Sequence, residues 1–301
     1  MSPVAPDTNP VEGTVTWNPS KSLWYLSHLM IGVVGGVALF SWSALVVCGF
    51  LTVVTLCCGH TVGLHRLLIH RNLRCPLWLE RWLVYLGTLV GMGGPLAMIY
   101  LHDIRDWAQR YPQSHAFFIH GKSITQDYWW NLNCGIELKN PPEFVIEPEV
   151  KKDKVYRFLQ LTWMWQQVPI GVLLFLAGGW PWVVFGVSLR IFISLTGHWL
   201  IGYFAHNAGQ RTWYLRGHAV QGFNLPHLGI LTMGECWHNN HHAFPESARL
   251  GIAKGQADPG WWVVQALRRA GLAWEVRVPE DLPERPEREL LVNGATQEAV
   301  A

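Results

Sequence analysis

A stretch of 38 residues without a charged side chain, from Ser22 to Gly59, constrains the fold of this chain more than any other feature. One membrane-spanning helix needs about 20 apolar residues, so the stretch has room for two, separated by a turn near residues 41–43. Only 15% of the 301 residues are charged, whereas roughly 25% is usual in soluble domains. The sequence therefore predicts an integral membrane protein.

A second charge-free stretch, Phe158–Leu189, has room for another pair of spans. The sequence Gly-Gly-Trp-Pro at 178–181 is a strong turn signal, and the last span would extend past Arg190 toward Tyr203. The predicted turns carry no charge, whereas lysines and arginines flank both hairpins. By the positive-inside tendency, both termini and the central loop are expected in the cytoplasm.

The apolar segment 77–101 is less simple, because it contains Glu80, Arg81 and a glycine-rich break. It could be a fifth span, but an odd number of spans would put the later histidines on the opposite membrane face from the first ones. We therefore expect a helix that lies in the membrane interface. A second interfacial helix is expected at residues 260–272.

These segments predict an all-α integral membrane fold with four transmembrane helices in two hairpins. A cytoplasmic helical cap, made from the segments between and after the hairpins, would carry a site for two metal ions. Residues 1–21 are expected to form a mobile N-terminal tail. Residues 279–301, rich in Pro and Glu and poor in aromatic residues, are expected to form a disordered C-terminal tail. The membrane and cap domain would then span residues 22–278.

Seven of the fourteen histidines fall at one membrane face when the four spans are drawn: His65, His70, His102, His206, His238, His241 and His242. Positions i, i+3 and i+4 of a helix share one face, so the last three can converge on one region. The i, i+5 spacing of His65 and His70 suits an α-helix less well. That pair would reach two different metals, or one metal from an unwound helix end. Imidazoles that are desolvated together are costly unless a metal binds their lone pairs.

A carboxylate accompanies the histidine of the central segment. Asp106 follows His102 with the i, i+4 relation that places two side chains on one helix face. Neutral imidazole and carboxylate together suit iron, and an open position beside them is where non-haem iron meets dioxygen.

The remaining histidines are expected not to bind metal. His28 and His198 lie in or near the spans, where an interior hydrogen-bonded role is expected. The others are His60, His115, His120, His218 and His227. His60 also forms an HxxxxH pair with His65, so spacing alone leaves the register of the first histidine pair open.

At these residues the chain resembles the membrane fatty-acid desaturases, in particular the acyl-CoA Δ9 (stearoyl-CoA desaturase-like) branch. Residues 63–71, GLHRLLIHR, resemble the first histidine box of that family, which favours His65 and His70 as its ligands. Residues 234–245, GECWHNNHHAFP, resemble the third box, and His206 stands where the family places an additional ligand histidine. For Glu235 and Asn239 of the third box we expect contacts to the metal-binding histidines or to the substrate.

The second box departs from the family pattern HxxHH, because it reads His-Asp-Ile-Arg-Asp over residues 102–106. Gly202 also occupies a position where acyl-CoA desaturases carry an asparagine that holds a metal-bound water. In one interpretation Asp106 replaces a histidine ligand, with Arg105 as its partner or as a contact for a substrate anion. In the other, one metal site is weakened or lost. We favour the first, because His102 and the third-box histidines are retained.

The resemblance implies an enzyme with two irons that uses O2 to introduce a double bond into a long fatty acyl chain, carried by CoA or by a membrane lipid. An external electron donor, either a ferredoxin or a cytochrome with its reductase, would bind the cytoplasmic cap. The net charge of +2 and the lack of a basic run argue against a nucleic-acid partner.

Two other functions fit the same sequence features. A hydroxylase, acetylenase or other lipid oxidase would use the same scaffold and differ only in the product. A non-catalytic membrane metal-binding protein, or a metal transporter, belongs to another class. A transporter predicts ionisable residues inside the spans, and the charge-free stretches disfavour it.

Overall fold

The computed structural model describes residues 8–291 and is mostly helical. The α-helices of this part are α1 (Pro19–Ala38), α2 (Trp42–Val53), α3 (Leu77–Thr88), α4 (Pro95–Gln109), α5 (Ile124–Asn133), α6 (Pro148–Lys152), α7 (Lys154–Thr162), α8 (Gln167–Val183), α9 (Arg190–Asn207), α10 (His238–Ala243) and α11 (Pro259–Arg269). Two π-helical segments, Val54–Ile69 and Val184–Leu189, continue α2 and join α8 to α9. The strands are β1 (Gly13–Trp17), β2 (Cys134–Leu138), β3 (Trp213–Leu215) and β4 (Arg288–Leu290), and a short 3-10 helix covers Pro279–Asp281.

Two helical stretches in the described part are long and apolar enough to cross a membrane. One is the 28-residue helix Trp42–Ile69, and the other is the 41-residue helix Gln167–Asn207. The second is broken at Gly179, whose φ of 67° and ψ of −161° are not helical. Leu174, before the break, lies against Gly186 after it, so the two arms fold back on each other. The turn predicted at residues 178–181 is therefore present.

The outward faces of these helices and of α1 are apolar. Val37 of α1, Val46 of α2 and Leu176 of α8 are exposed by 80%, 70% and 77%. Large contiguous apolar surfaces are rare on soluble monomers, because water penalises them, and they mark contact with lipid or another protein. The exposed pattern therefore agrees with helices surrounded by lipid.

Two small antiparallel sheets correct the all-α prediction and the predicted extent of both tails. Strand β1 pairs with β2, with Gly13 opposite Leu138 and Trp17 opposite Cys134. Strand β4 pairs with β3, with Leu290 opposite Trp213. Residues 13–17 and 288–290 are therefore paired in sheets, and the partner of each strand lies more than 70 residues away in the chain.

The segment 77–101 forms neither a span nor a single interfacial helix. It contains α3, a break, and the start of α4. Two glycines of the preceding π-helical segment let α3 approach closely. A Cβ on Gly59 would lie 2.3 Å from the backbone nitrogen of Gly87, and one on Gly63 would lie 2.5 Å from the carbonyl carbon of Leu83. This contact fixes the π-helical segment against the cap.

Candidate metal centre

The π-helical segment Val54–Ile69 gives the first histidine pair a common direction. A π-helix has i to i+5 hydrogen bonds, so residues five apart lie above one another. The backbone nitrogen of His70 donates to the carbonyl of His65 at 3.0 Å, and the two ring centroids are 4.8 Å apart. The helix is widened rather than unwound, and both histidines belong to one cluster instead of two.

The first cluster consists of His65, His70, His102 and His241, whose candidate ligand atoms all lie within 4.8 Å of one another. His102 comes from α4 and His241 from α10. The Nε2 atoms of His70 and His102 are 3.1 Å apart. His65 and His241 are buried, and the other two are half-buried.

The second cluster consists of His206, at the end of α9, and His238 and His242, one turn apart on α10. The Nε2 atom of His238 lies 3.1 Å from that of His206 and 3.0 Å from that of His242. The expectation that His238, His241 and His242 would converge on one region is therefore refined. Helix α10 lies between two adjacent clusters and supplies both, with the rings of His238 and His241 5.9 Å apart.

The nitrogen positions of both clusters fit metal ions. Two nitrogens about 2.1 Å from one ion and at right angles to each other are about 3 Å apart, as observed here. Two bare lone pairs at that separation repel unless a cation or proton lies between them. The Nδ1 atom of His241, in the first cluster, is buried without a hydrogen-bond partner among the described residues. Polar atoms buried in that way are rare in folded proteins and require a specific cause.

Burial also keeps the histidines of α10 in the form that binds metal. Desolvation lowers the pKa of His238 to about 4 and holds the pKa of His241 and His242 well below the ordinary value. Most of the neighbouring histidines and arginines also lower the pKa of these three side chains. These side chains are therefore neutral near pH 7, with a lone pair free for a metal.

Two residues of the third box have different surroundings. A carboxylate oxygen of Glu235 lies 2.9 Å from Nδ1 of His65, although the two atoms are not aligned for a hydrogen bond. A carboxylate beside a ligand histidine orients the ring and raises its basicity. The amide of Asn239 instead bonds backbone groups, accepting from the nitrogens of Thr212 and Trp213 and donating to three carbonyls. It fastens α10 to β3.

Asp106 of the second box belongs to neither histidine cluster in the described part of the chain. The carboxylate of Asp106 accepts from the guanidinium of Arg110, one turn along α4. Arg105 does not partner Asp106. Its Nη1 donates to the carbonyl of Phe118 and to Nε2 of His120, both at 3.1 Å, and its Nη2 donates to Asn131 at 2.9 Å. Burial lowers the pKa of Arg105 to about 10.

The sequence did not indicate the polar residues that line the second cluster. His120 stacks on His206, with centroids 5.1 Å apart, and its Nδ1 donates to the buried carboxylate of Asp127 at 2.8 Å. A Cβ on Gly202 would lie 3.3 Å from Nε2 of His120, so the glycine leaves room for this ring. The amide nitrogen of Gln109 lies 3.2 Å from Nε2 of His206. A single glutamine at a helix end carries no sequence signal of such a role.

The histidines expected not to bind metal lie outside both clusters in the described part of the chain. His60 and His198 pack edge to face, with centroids 4.9 Å apart. His28 lies with its Nδ1 3.2 Å from the hydroxyl of Ser188.

Comparison with known proteins identifies relatives whose sequences align with most of this chain. The sn-1 stearoyl-lipid 9-desaturase of Anabaena variabilis is 35% identical over 246 residues, which are 80% of this chain and 86% of that protein. The sn-2 palmitoyl-lipid 9-desaturase of Nostoc sp. (strain 36) is 31% identical over 85% of this chain and 91% of its own length. The acyl-CoA C20 Delta5-desaturase of Anemone leveillei is 28% identical over 94% of this chain and 90% of its own. No protein-family model matches the chain.

Proposed function

Because the chain belongs to the fatty-acid desaturase family, we propose that it introduces a double bond into a long fatty acyl chain at a centre of two irons. The family makes it an oxidoreductase of lipid metabolism. The observation that carries the finer proposal is the pair of histidine clusters, four residues and three residues, that share α10. Each cluster would hold one ion.

The proposed reaction has a definite balance. The adjacent methylenes of the acyl chain lose two hydrogens, and O2 with two electrons and two protons from outside becomes two molecules of water. When bound, two irons supply the O2 activation that unactivated C–H bonds require. The protein holds the ring nitrogens in place, keeps them neutral by burial, and places the carboxylate of Glu235 beside the ring of His65.

We propose that the first iron is held by His65, His70, His102 and His241. The second is held by His206, His238 and His242, whose three nitrogens leave further positions open. The ion pair with Arg110 supports a revised assignment in which Asp106 is not a ligand. Arg105, held by Phe118, His120 and Asn131, would stabilise the wall of the second site.

The membrane arrangement is part of the proposal. Helices α1 and α2, and the two arms on either side of Gly179, would form two transmembrane hairpins, with termini and metal centre in the cytoplasm. The apolar outer faces of α1, α2 and α8 support this arrangement. The acyl chain would then reach the centre from the surrounding lipid.

The substrate carrier and the electron donor are proposed by class. Two of the relatives above are named for acyl chains on lipids and for position 9, and the third for acyl-CoA and position 5. We propose a lipid-borne or CoA-borne chain desaturated at carbon 9. Two electrons per turnover would come from a ferredoxin, or from a cytochrome with its reductase, bound at the cap.

The test is expression in a host without a desaturase of its own, fed with perdeuterated stearate, followed by mass spectrometry of the fatty acids. The expected product has lost two deuterium atoms and carries one double bond, absent with His238→Ala. Separating complex lipids from acyl-CoA after a short pulse identifies the carrier. A hydroxyl group or a triple bond would instead establish another lipid oxidase on this scaffold. A metal-loaded protein with no product, supplied with either donor system, would establish a non-catalytic metal-binding protein.

A further inference from the structure

We propose that Gln109 is the fourth protein ligand of the second cluster and binds the metal through its carboxamide oxygen. The inference rests on the proposed two-metal centre and assigns a residue that the histidine pattern does not contain. It gives the second site three imidazoles and one oxygen, in place of the carboxylate expected from Asp106.

The position of Gln109 on α4 directs it to the site. It follows His102 by seven residues, two turns along the helix, so the two side chains lie on the same face. His102 serves the first cluster, and Gln109 reaches the second. The side chain is buried, with 4% of its surface exposed. Its amide nitrogen lies 3.2 Å from Nε2 of His206, close to the 3.0 and 3.1 Å that separate the histidine nitrogens of this cluster.

A hydrogen-bond partner fixes which ring nitrogen of His206 faces the second cluster. Nδ1 of His206 lies 2.6 Å from the carbonyl of Gly202, and a carbonyl can only accept, so Nδ1 carries the hydrogen. The lone pair of Nε2 therefore faces the cluster and receives an N–H from Gln109. A metal ion needs that same lone pair. For the metal to bind there, the amide of Gln109 rotates by half a turn about its Cγ–Cδ bond, which brings the carboxamide oxygen to the ion.

Rotation of the Gln109 amide leaves the buried carbonyl of Phe118 with a hydrogen-bond donor. The amide nitrogen of Gln109 also donates to the carbonyl of Phe118 at 2.8 Å. Arg105 donates to the same oxygen through Nη1 at 3.1 Å, so the carbonyl keeps one hydrogen bond after the amide has turned. Arg105 stands where the second box would have a histidine. Because it keeps the Phe118 carbonyl hydrogen-bonded, rotation of the Gln109 amide costs little free energy.

Asp106 is the competing oxygen ligand, and its surroundings disfavour it. Its carboxylate is paired with Arg110 and lies on α4 only three residues before Gln109. Imidazoles suit iron, and the amide oxygen of Gln109 would add one oxygen ligand to three of them while leaving positions open.

The experiment measures metal binding by the full-length protein in detergent, loaded with Fe²⁺ under anaerobic conditions. Iron per chain is determined after gel filtration, together with the rate of iron release to a chelator. The variants are Gln109→Leu, which keeps the volume and removes the ligand, and Gln109→Glu, which offers a stronger oxygen ligand. The matched control is Gln166→Leu, because Gln166 is also a buried amide and bonds only Thr162 among side chains in the described part.

We expect about two irons per chain in the wild type and in Gln166→Leu, about one in Gln109→Leu, and two in Gln109→Glu. The second iron of the wild type should leave at least tenfold more slowly than any second iron that Gln109→Leu retains. The iron that remains in Gln109→Leu reports an intact fold. If that variant cannot be purified, Gln109→Asn, too short by one methylene, should lose the second iron while Gln109→Glu keeps it. Two irons with wild-type release rates in Gln109→Leu or Gln109→Asn would overturn the inference alone. A wild type that binds fewer than two irons would overturn the two-iron centre as well.

Discussion

The backbone nitrogen of His70 donates to the carbonyl of His65 at 3.0 Å, across five residues. This hydrogen bond lets two histidines with HxxxxH spacing lie on the same side of the helix. Five residues complete about one turn of a π-helix but overshoot a turn of an α-helix. The same π-helical segment packs closely against α3 at Gly59 and Gly63.

Gly63→Ala should therefore disturb the first cluster from a distance. The added Cβ would lie 2.5 Å from the carbonyl carbon of Leu83, so α3 has to move away. Overpacking of this kind costs about 1–3 kcal/mol, and we expect a lower unfolding temperature in detergent together with weaker binding of one iron. Gly49→Ala is the control, because a Cβ there meets nothing within 4 Å. Equal unfolding temperatures for the two variants would show that the close packing of α3 is not required.

The two clusters should lose their metals separately. His241→Ala removes a ligand of the first cluster and His238→Ala one of the second, so each variant is expected to retain about one iron per chain. Activity should fall by more than about 100-fold in both, since even residues that only support a ligand contribute 10- to 100-fold. His227→Ala, which changes an exposed histidine outside the clusters, should retain both irons and full activity. Loss of both irons from either cluster variant would mean that the seven histidines form one interdependent site.

The sequence predicted much of this centre because its signals are local. Residues 178–181 have a turn composition, and the break at Gly179 follows from it. The seven histidines were recognised from their spacing and the family resemblance. Their division between clusters was not, because it depends on the angle at which α10 enters between α4 and α9. The pairing of β1 with β2 and the approach of Gln109 to His206 depend on contacts between distant parts of the chain, which no local pattern encodes.

Asp106→Asn tests the carboxylate that the sequence placed in the ligand set. The structure pairs Asp106 with Arg110 in an i, i+4 ion pair whose side chains are 26% and 27% exposed. We expect the variant to retain both irons, with a change in unfolding free energy of no more than about 1 kcal/mol, as for other partly exposed ion pairs. Iron analysis and denaturation in detergent measure both quantities. Loss of one iron would restore Asp106 as a ligand and exclude the assignment of Gln109 to the same position.

The buried ion pair between Arg66 and Asp258 should contribute far more to stability than any exposed pair. Arg66, next to His65, is fully buried, and its Nη2 lies 2.7 Å from Oδ1 of Asp258, at the start of α11. Arg66→Met leaves the Asp258 carboxylate without its counter-ion, which costs about 3–5 kcal/mol in buried pairs. The variant should unfold at a clearly lower temperature and lose iron from the first cluster earlier than from the second.

Lys139→Met provides the comparison, because Lys139 and Glu12 form an ion pair at 3.0 Å whose side chains are 71% and 56% exposed. Exposed pairs contribute about 0–1 kcal/mol, so the unfolding temperature of this variant should stay near that of the wild type. The double variant Arg66→Met with Asp258→Asn removes both charges, keeps a side-chain oxygen that can accept from a backbone nitrogen at the start of α11, and should recover part of the loss, since no unpaired charge remains buried. If Arg66→Met and the double variant are equally unstable, the loss comes from the hydrogen bond of Arg66 to the Ala248 carbonyl rather than from the carboxylate. That result would place the connection between the π-helical segment and the cap in the backbone at residue 248 instead of in the ion pair.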